Sequence, residues 1–381
     1  MRIGIDVRRI VFQQMIGGLA VYPYNLVKHL ANIDKENEYI LLHSFIRPRN
    51  YRFIRDLETP NFKNRVFRCR AQFLEDWLWE KLHLPIEVIM GKVDVFHQTI
   101  PPFPPQLFGK SIVTLYDLGP KRFPNLLPDK WVSKFEHNIL ITLKKVDFII
   151  SISHHSKNYI IESLKIPEER IRVIYLGVSE KYHPINDKNI LHNIQKKYNI
   201  DRKYILYVGN LEPHKNILRL IEAFYELKNN TNCEYNLVIV GKKSGLYEEI
   251  FKKVKELKLE KDVIFTNEVP EEDLPSLYSG AEVFVLPSLT EGFGLPAVEA
   301  MACGTPVIGS NTTSIPEIVK DAGILVNPLN VAEITQAMEQ VLSNTTLQNE
   351  LRKKGIQRAK FFSWDKTAQE TLEIYKMVSN L

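Results

Sequence analysis

Residues 281–309 read AEVFVLPSLTEGFGLPAVEAMACGTPVIG. The stretch opens on an apolar run, Val283–Leu286, which Pro287 and Ser288 stop. It then passes through a polar, glycine-rich turn into an alanine-rich segment of helical character. Pro296 suits a first helical position, where its missing N–H would have no partner in any case, so the spacing predicts a helix from about Leu295 to Gly304. Thr305 and Pro306 lead into a further strand. Strand, loop, helix and strand in that order make a βαβ unit, which sets the fold class as α/β with a parallel sheet.

Such a loop opens at the mouth of the sheet and carries Glu291, Gly292, Phe293 and Gly294 to it. The N–H groups of Phe293, Gly294 and Leu295 at the helix start suit an anion or a sugar, and the glycines let backbone approach a phosphate closely. Glu291 and Glu299 frame this place. A carboxylate accepts two hydrogen bonds side by side, which matches the vicinal hydroxyls of a hexose or a ribose. Glu299 alone would read as an acid complementing the positive end of a helix; paired with Glu291 it reads as a ligand contact. Gly292, Gly294 and Ala297, with Glu317 further on, also spell a dinucleotide-binding turn. That fingerprint should follow its strand directly and place no carboxylate beside the pyrophosphate, so a nicotinamide oxidoreductase is the weaker reading.

At 381 residues the chain is long for one core and comfortable for two. Its 44% hydrophobic and 25% charged content is that of an ordinary globular protein. No apolar run approaches a membrane span and the chain starts on the strand-like MRIGIDV, so no signal peptide and a cytoplasmic location are expected. Cys69, Cys233 and Cys303 are odd in number and far apart, which suggests neither a disulfide framework nor a metal site, with Cys303 a small buried residue. The net charge of +5 is unevenly spread: residues 1–178 hold 26 Lys and Arg against 18 Asp and Glu, and residues 179–381 hold 24 against 27. So sparse an excess, without a repeat of stacking aromatics, argues against nucleic acid. It is compatible with an anionic acceptor or peripheral contact with an anionic membrane near the first half. Eight basic residues between Arg47 and Arg70 carry most of it. Trp77 and Trp79 read as core or groove lining.

Along the chain, strand-like runs alternate with helical ones. MRIGIDV is followed by Gly17–Gly18 and a helical segment, and SIVTLYD by a loop. VDFIISIS and RIRVIYLGV are two further strands with Ser153 and His154 on the turn between them. Around Gly177–Pro184 the pattern breaks, and a new series starts near Tyr204. There YILYVGN is a strand, LEPHKN a loop, and ILRLIEAFYELK a helix with Ile217, Leu220, Ile221 and Phe224 on one face. Lys215 thus sits at a helix start, where an ammonium and N–H groups together can meet a diphosphate.

The run EGFGLPAVEAMACGTPVI resembles the E-x7-E region of the retaining GT-B glycosyltransferases, in particular glycosyltransferase family four. Both glutamates, the GFGLP core and the ACGTPVI tail stand in order, and EPHKN resembles the EPRKN of bacterial mannosyltransferases. The resemblance implies two doubly wound, Rossmann-like domains facing across a cleft. An acceptor-side domain would span 1–178, joined by the closing helix 364–381, and a nucleotide-sugar domain 179–363. It implies that Gly18, Asn210 and Lys215 lie at the donor diphosphate, that Val269 to Leu274 holds the base, that Glu299 takes the ribose hydroxyls and Glu291 the donor sugar. Where the family commonly has a His-Asp pair, this chain has Tyr116 and Asp117, which leaves Asp117 as the polar contact on the acceptor side. No D-x-D occurs, so neither a metal nor another cofactor is expected. The implied reaction moves a hexose, mannose from GDP-mannose, to a glycan or lipid-linked acceptor in surface polysaccharide synthesis, with retention of configuration. A GT-B epimerase or phosphorylase and a non-catalytic sugar-nucleotide-binding subunit are the alternatives.

Overall fold

The computed structural model describes residues 1–8, 18–44, 57–68, 74–79, 81–100, 104–116, 139, 143, 145–231, 234–243 and 247–381. The chain divides into two compact units, 1–177 with 363–381, and 178–362.

The first unit is built on a seven-stranded sheet. Its strands are β1 (Arg2–Asp6), β2 (Glu38–Ser44), β3 (Phe62–Phe67), β4 (Val95–Gln98), β5 (Lys110–Leu115), β6 (Phe148–Ser151) and β7 (Ile171–Val173). They pair in parallel in the order β3-β2-β1-β4-β5-β6-β7. β1, β4 and β6 are buried along nearly their whole length, as strands covered on both faces must be, and the polar Asp6, His97 and Gln98 are buried with them. The turn expected at Ser153 and His154 is the start of a helix, His154–Leu164, whose first turn Ser153 caps by accepting the Ser156 N–H. Gly18 opens the helix Gly18–Ile33. Trp79 is buried, with the Arg8 guanidinium 4.3 Å from its ring centroid, whereas Trp77 is half exposed and lines no core. Of the basic run at 47–70, residues 57–68 are described; Lys63 there pairs with Glu38. Arg47, Arg49, Arg52, Arg55 and Arg70 lie outside the described residues, as does Asp117.

The last helix, Trp364–Ser379, belongs to this first unit. Its Tyr375 hydroxyl pairs with His97 Nδ1 at 2.6 Å, and His97 Nε2 pairs with Thr114 Oγ1 at 2.8 Å. Thr114 also meets the Tyr22 hydroxyl at 3.0 Å. All four groups are buried, and burial pushes the His97 imidazole down to about 3, so it is neutral at every ordinary pH. A closed set of hydrogen bonds of this kind fixes one docking position for the helix, because any slip would strand buried polar atoms.

The second unit holds a six-stranded sheet: β8 (Tyr204–Val208), β9 (Asn236–Val240), β10 (Val263–Asn267), β11 (Val283–Leu286), β12 (Val307–Ser310) and β13 (Gly323–Val326). They too pair in parallel, in the order β10-β9-β8-β11-β12-β13. The chain therefore winds outward from β8 in one direction and then from β11 in the other. The point of reversal lies between these two adjacent strands, which is where an open parallel sheet leaves a crevice at its carboxyl edge. On the other side of β8 the ends of β8 and β9 also approach closely: a Cβ on Gly241 would lie 1.9 Å from the Gly209 carbonyl oxygen. The helix after β8, Ile217–Thr231, buries Ile217, Leu220, Ile221 and Phe224, the face its spacing gives.

Candidate active site

The two loops at the reversal point each end in a helix. After β8 the chain runs through Gly209–Glu212 into one tight turn, Pro213–Lys215, and reaches the helix through Asn216, which holds a left-handed backbone at φ 60°. After β11 it runs through Pro287–Gly294 into the helix Leu295–Ala302, with Pro296 in the first turn. Gly294 has φ 94°, so the backbone favours glycine, and a Cβ there would sit 2.4 Å from Ile315 Cδ1, whose side chain would have to shift.

Each of these loops holds the other. Leu289 donates its N–H to the His214 carbonyl at 2.7 Å. Asn216 Nδ2 donates to the Pro287 carbonyl at 2.9 Å and to the Pro328 carbonyl at 2.6 Å, joining the loop after β8 to those after β11 and β13. The segment after β12 completes the set: Glu291 N–H donates to Thr313 Oγ1 at 3.1 Å, and Ser314 Oγ donates to the Glu291 carbonyl at 2.9 Å. Loops from four strand ends are thus tied to one another around Glu291, whose own backbone is held from the segment after β12.

Its side chain meets Lys215. The Lys215 ammonium lies 2.8 Å from Glu291 Oε1, and Ser288 Oγ donates to the same oxygen at 2.7 Å. Burial pushes the Glu291 carboxyl up, but the Lys215 ammonium and the Ser288 hydroxyl more than offset this and leave it below its ordinary value. Glu291 is therefore a carboxylate at neutral pH. His214 also stands beside this pair, with Nδ1 3.6 Å from Glu212 Oε2. Asn210, one turn earlier, is exposed and reaches Glu212 at 3.4 Å.

Glu299 lies on the helix Leu295–Ala302 and has a different neighbourhood. The Tyr278 hydroxyl donates to its Oε2 at 2.9 Å, and Tyr182 supplies a second hydroxyl. Burial dominates here and raises the carboxyl to about 7, with the two tyrosines and Lys181 opposing it. A carboxyl raised from its unfolded value makes folding less favourable as pH climbs from about 4.5 to 7, since only the unfolded chain ionises freely in that window. Glu299→Gln keeps an acceptor for the tyrosines and removes the charge. We expect it to match the parent protein at pH 5 and to exceed it by on the order of 2 kcal/mol at pH 8 in urea denaturation. Equal stability differences at both pH values would remove the buried charge from the account.

Val269 is buried just beyond β10, and Leu274 opens the helix Leu274–Ser279, whose Tyr278 reaches Glu299. Phe293 is buried and Leu295 half-buried at the helix start. The structure thus brings Lys215, Glu291, Phe293, Gly294 and Leu295 together on two neighbouring strand ends. Glu299 lies one helical turn further on, Val269 follows β10, two strands away from β8, Leu274 opens the helix that packs against the Glu299 helix, and Gly18 is in the other unit. Tyr116, beside the undescribed Asp117, packs edge-on against Tyr22 at 5.6 Å. Burial holds its phenol well above the ordinary value, so it is no base at neutral pH. Sequence reading missed Asn216, Ser288, Thr313, Ser314 and the two tyrosines on Glu299. The first stood in plain view inside EPHKN, next to Lys215, as a residue type that tolerates left-handed backbone.

Comparison with known proteins agrees with this geometry. Residues 16–182 match Glycosyltransferase Family 4 and residues 191–359 match Glycosyl transferases group 1. The O-antigen chain mannosyltransferase B of Escherichia coli is 33% identical over 274 residues, 72% of each chain. The serotype-specific mannosyltransferase WbdA of the same species is 32% identical over 268 residues, covering 69% of this chain and 33% of that larger protein. In three dimensions, sucrose-phosphate synthase from Thermosynechococcus elongatus superposes with a TM-score of 0.77 at 21% identity, covering 99% of this chain and 98% of the other. Two parallel-sheet α/β units, a matched pair of family domains and a relative this similar over most of its length lead to one assignment: the chain belongs to the family-four, group 1 glycosyltransferases of GT-B fold, and is a glycosyltransferase.

Proposed function

We propose that this protein transfers mannose from GDP-mannose to a glycan or lipid-linked acceptor in surface polysaccharide synthesis, retaining the anomeric configuration. The observation that carries the reading is the Lys215–Glu291 pair at the reversal point of the second sheet, held from four strand ends. The names of the similar mannosyltransferases support the sugar and the setting. In this reading the Lys215 ammonium meets the diphosphate as negative charge builds on the departing nucleotide, a preorganised electrostatic role. Glu291 receives hydroxyls of the hexose, Glu299 those of the ribose, and the N–H groups of Phe293, Gly294 and Leu295 the sugar and phosphate. Asn210 and Gly18 complete the diphosphate contacts, Val269 and Leu274 border the base, and Asp117 serves the acceptor.

The bond from the sugar C1 to the phosphate oxygen breaks, and one from C1 to the acceptor oxygen forms on the same face. The acceptor's proton passes to an oxygen of the departing phosphate, so no protein base is needed. Cytoplasmic action, with peripheral contact of the first unit at an anionic membrane, fits the basic first half; no helix among the described residues is long and apolar enough to cross a membrane.

Thermal shift with GDP-mannose, UDP-glucose, ADP-glucose and a dTDP-sugar tests the donor. At a hundred times its dissociation constant a ligand should stabilise by about 2.7 kcal/mol, which a melting curve resolves. We expect GDP-mannose and GDP to shift the transition most. A shift with UDP-glucose alone would replace the donor, and a shift with none would remove the site.

A further inference from the structure

We propose that His214 is a second cationic partner of the donor diphosphate, taking up a proton as the nucleotide binds. This rests on the reading of the Lys215–Glu291 loops as the diphosphate site, and deepens it.

The inference starts from the charges at the reversal point. Lys215, the residue expected to neutralise the diphosphate, already has its ammonium on Glu291 at 2.8 Å. That pair sums to zero. Glu212, in the same turn, adds a negative charge. Among the charges that act on His214, the carboxylates thus outnumber the ammonium, and a diphosphate brought here gains from one more group turning positive. His214 is the group placed to do so. It stands between Glu212 and Lys215 in the chain, and its Nδ1 lies 3.6 Å from Glu212 Oε2. Its carbonyl accepts the Leu289 N–H, which fastens this residue to the loop that carries Glu291. The ring is mostly buried, with 27% of the side chain exposed, so it cannot swing far from these neighbours.

The charged groups that act on the ring are Glu212 from its own turn, Lys215 beside it, and Glu291 from the loop after β11. Burial depresses the imidazole most and Lys215 adds to that, while Glu291 and Glu212 oppose; the balance falls below the ordinary value, so the ring is neutral at pH 7. Two or three phosphate charges arriving beside it reverse the balance. A protonated ring would then donate to a phosphate oxygen with one nitrogen and face Glu212 with the other. Binding and proton uptake are linked, so nucleotide affinity falls as pH rises above the range in which the empty-site ring is charged.

Isothermal titration of GDP and UDP at pH 7.5, in buffers of different ionisation heat, reads the proton uptake directly. The nucleotide's own phosphate and Glu299 contribute equally to parent and variant, so the difference between them isolates His214. We expect His214→Asn to take up less of a proton than the parent protein. Its affinity should be weaker at pH 6.5 and should approach the parent's at pH 8.5. The dissociation constant of the parent should rise by up to about tenfold more per pH unit than that of the variant. His214→Arg, which carries a fixed charge, should bind with the variant's low uptake and with affinity that no longer falls with pH, showing that the loop still folds. Equal uptake in the parent and His214→Asn, with binding intact, overturns the role of His214 alone. A parent protein that binds neither nucleotide overturns the diphosphate site and this role with it.

Discussion

Lys215→Ala should lower sugar transfer by about three orders of magnitude, the cost of removing one preorganised charge from a developing oxyanion. Radiolabelled transfer to a lipid-linked or glycan acceptor measures it. Stability should change too, because the substitution leaves the Glu291 carboxylate, only 10% exposed, without its cation. Breaking a buried pair by deleting one partner costs about 3 kcal/mol. The sign of its pH dependence follows from the direction of the shift. In the parent protein Glu291 is held below its unfolded value, so its contribution is present above about pH 4.3 and is lost as pH falls through the folded value. In the variant the largest opposition to burial is gone, leaving the Ser288 hydroxyl and His214, and the carboxyl rises. Parent and variant should therefore differ most in urea denaturation at pH 7.5 and least near pH 4. Glu291→Ala should lose transfer to a similar extent, since Lys215 then lacks the group that orients it. A variant of either residue with near-parental turnover would strike that residue from the catalytic assignment.

Asn216 should matter almost as much, although it is placed to touch no substrate. Its amide serves two buried carbonyls from different loops, and its Oδ1 accepts from Arg219 at 2.8 Å. Asn216→Ala strands both carbonyls and puts a Cβ without a compensating local hydrogen bond at φ 60°. At about 1–2 kcal/mol for each carbonyl and about 1 for the left-handed backbone, the loss sums to about 3–5 kcal/mol. Asn216→Gly keeps the backbone and should recover about 1 kcal/mol of it. Both variants should also slow transfer by about ten- to a hundredfold at saturating donor, because the distance between Lys215 and Glu291 is set through this side chain. Loss of stability with unchanged turnover would reduce Asn216 to a purely structural residue.

What could be seen in the sequence divides along physical lines. Val283–Leu286 and the other buried strands announce themselves, since a strand covered on both faces must be a short apolar run. Pro296 marks its helix start, because proline has few places to go. Lys215 and Glu291 were readable as neighbours because both stand just past such a strand, and parallel topology brings those points to one edge. Contacts made by single side chains across long stretches of sequence were not readable. Nothing near Glu299 points to Tyr182, or near His97 to Tyr375; only the folded sheet brings them within reach. Trp77 and Trp79 look alike in the sequence and part company in the structure, one half in solvent and the other under an arginine. The helix beginning at His154 was hidden by its polar start, which is the signature of a cap as much as of a turn.

The last helix has a consequence for how the polypeptide becomes two units. Residues 178 and 362 are joined by a backbone hydrogen bond of 3.1 Å, so the second unit is one uninterrupted piece of chain whose ends meet. The first unit is made of two pieces. On the ribosome, every residue of the second unit is in place before Trp364–Ser379 is synthesised, while the first sheet waits with His97 and Thr114 still lacking the tyrosine that closes their network. The portion of the chain made first is thus the portion finished last.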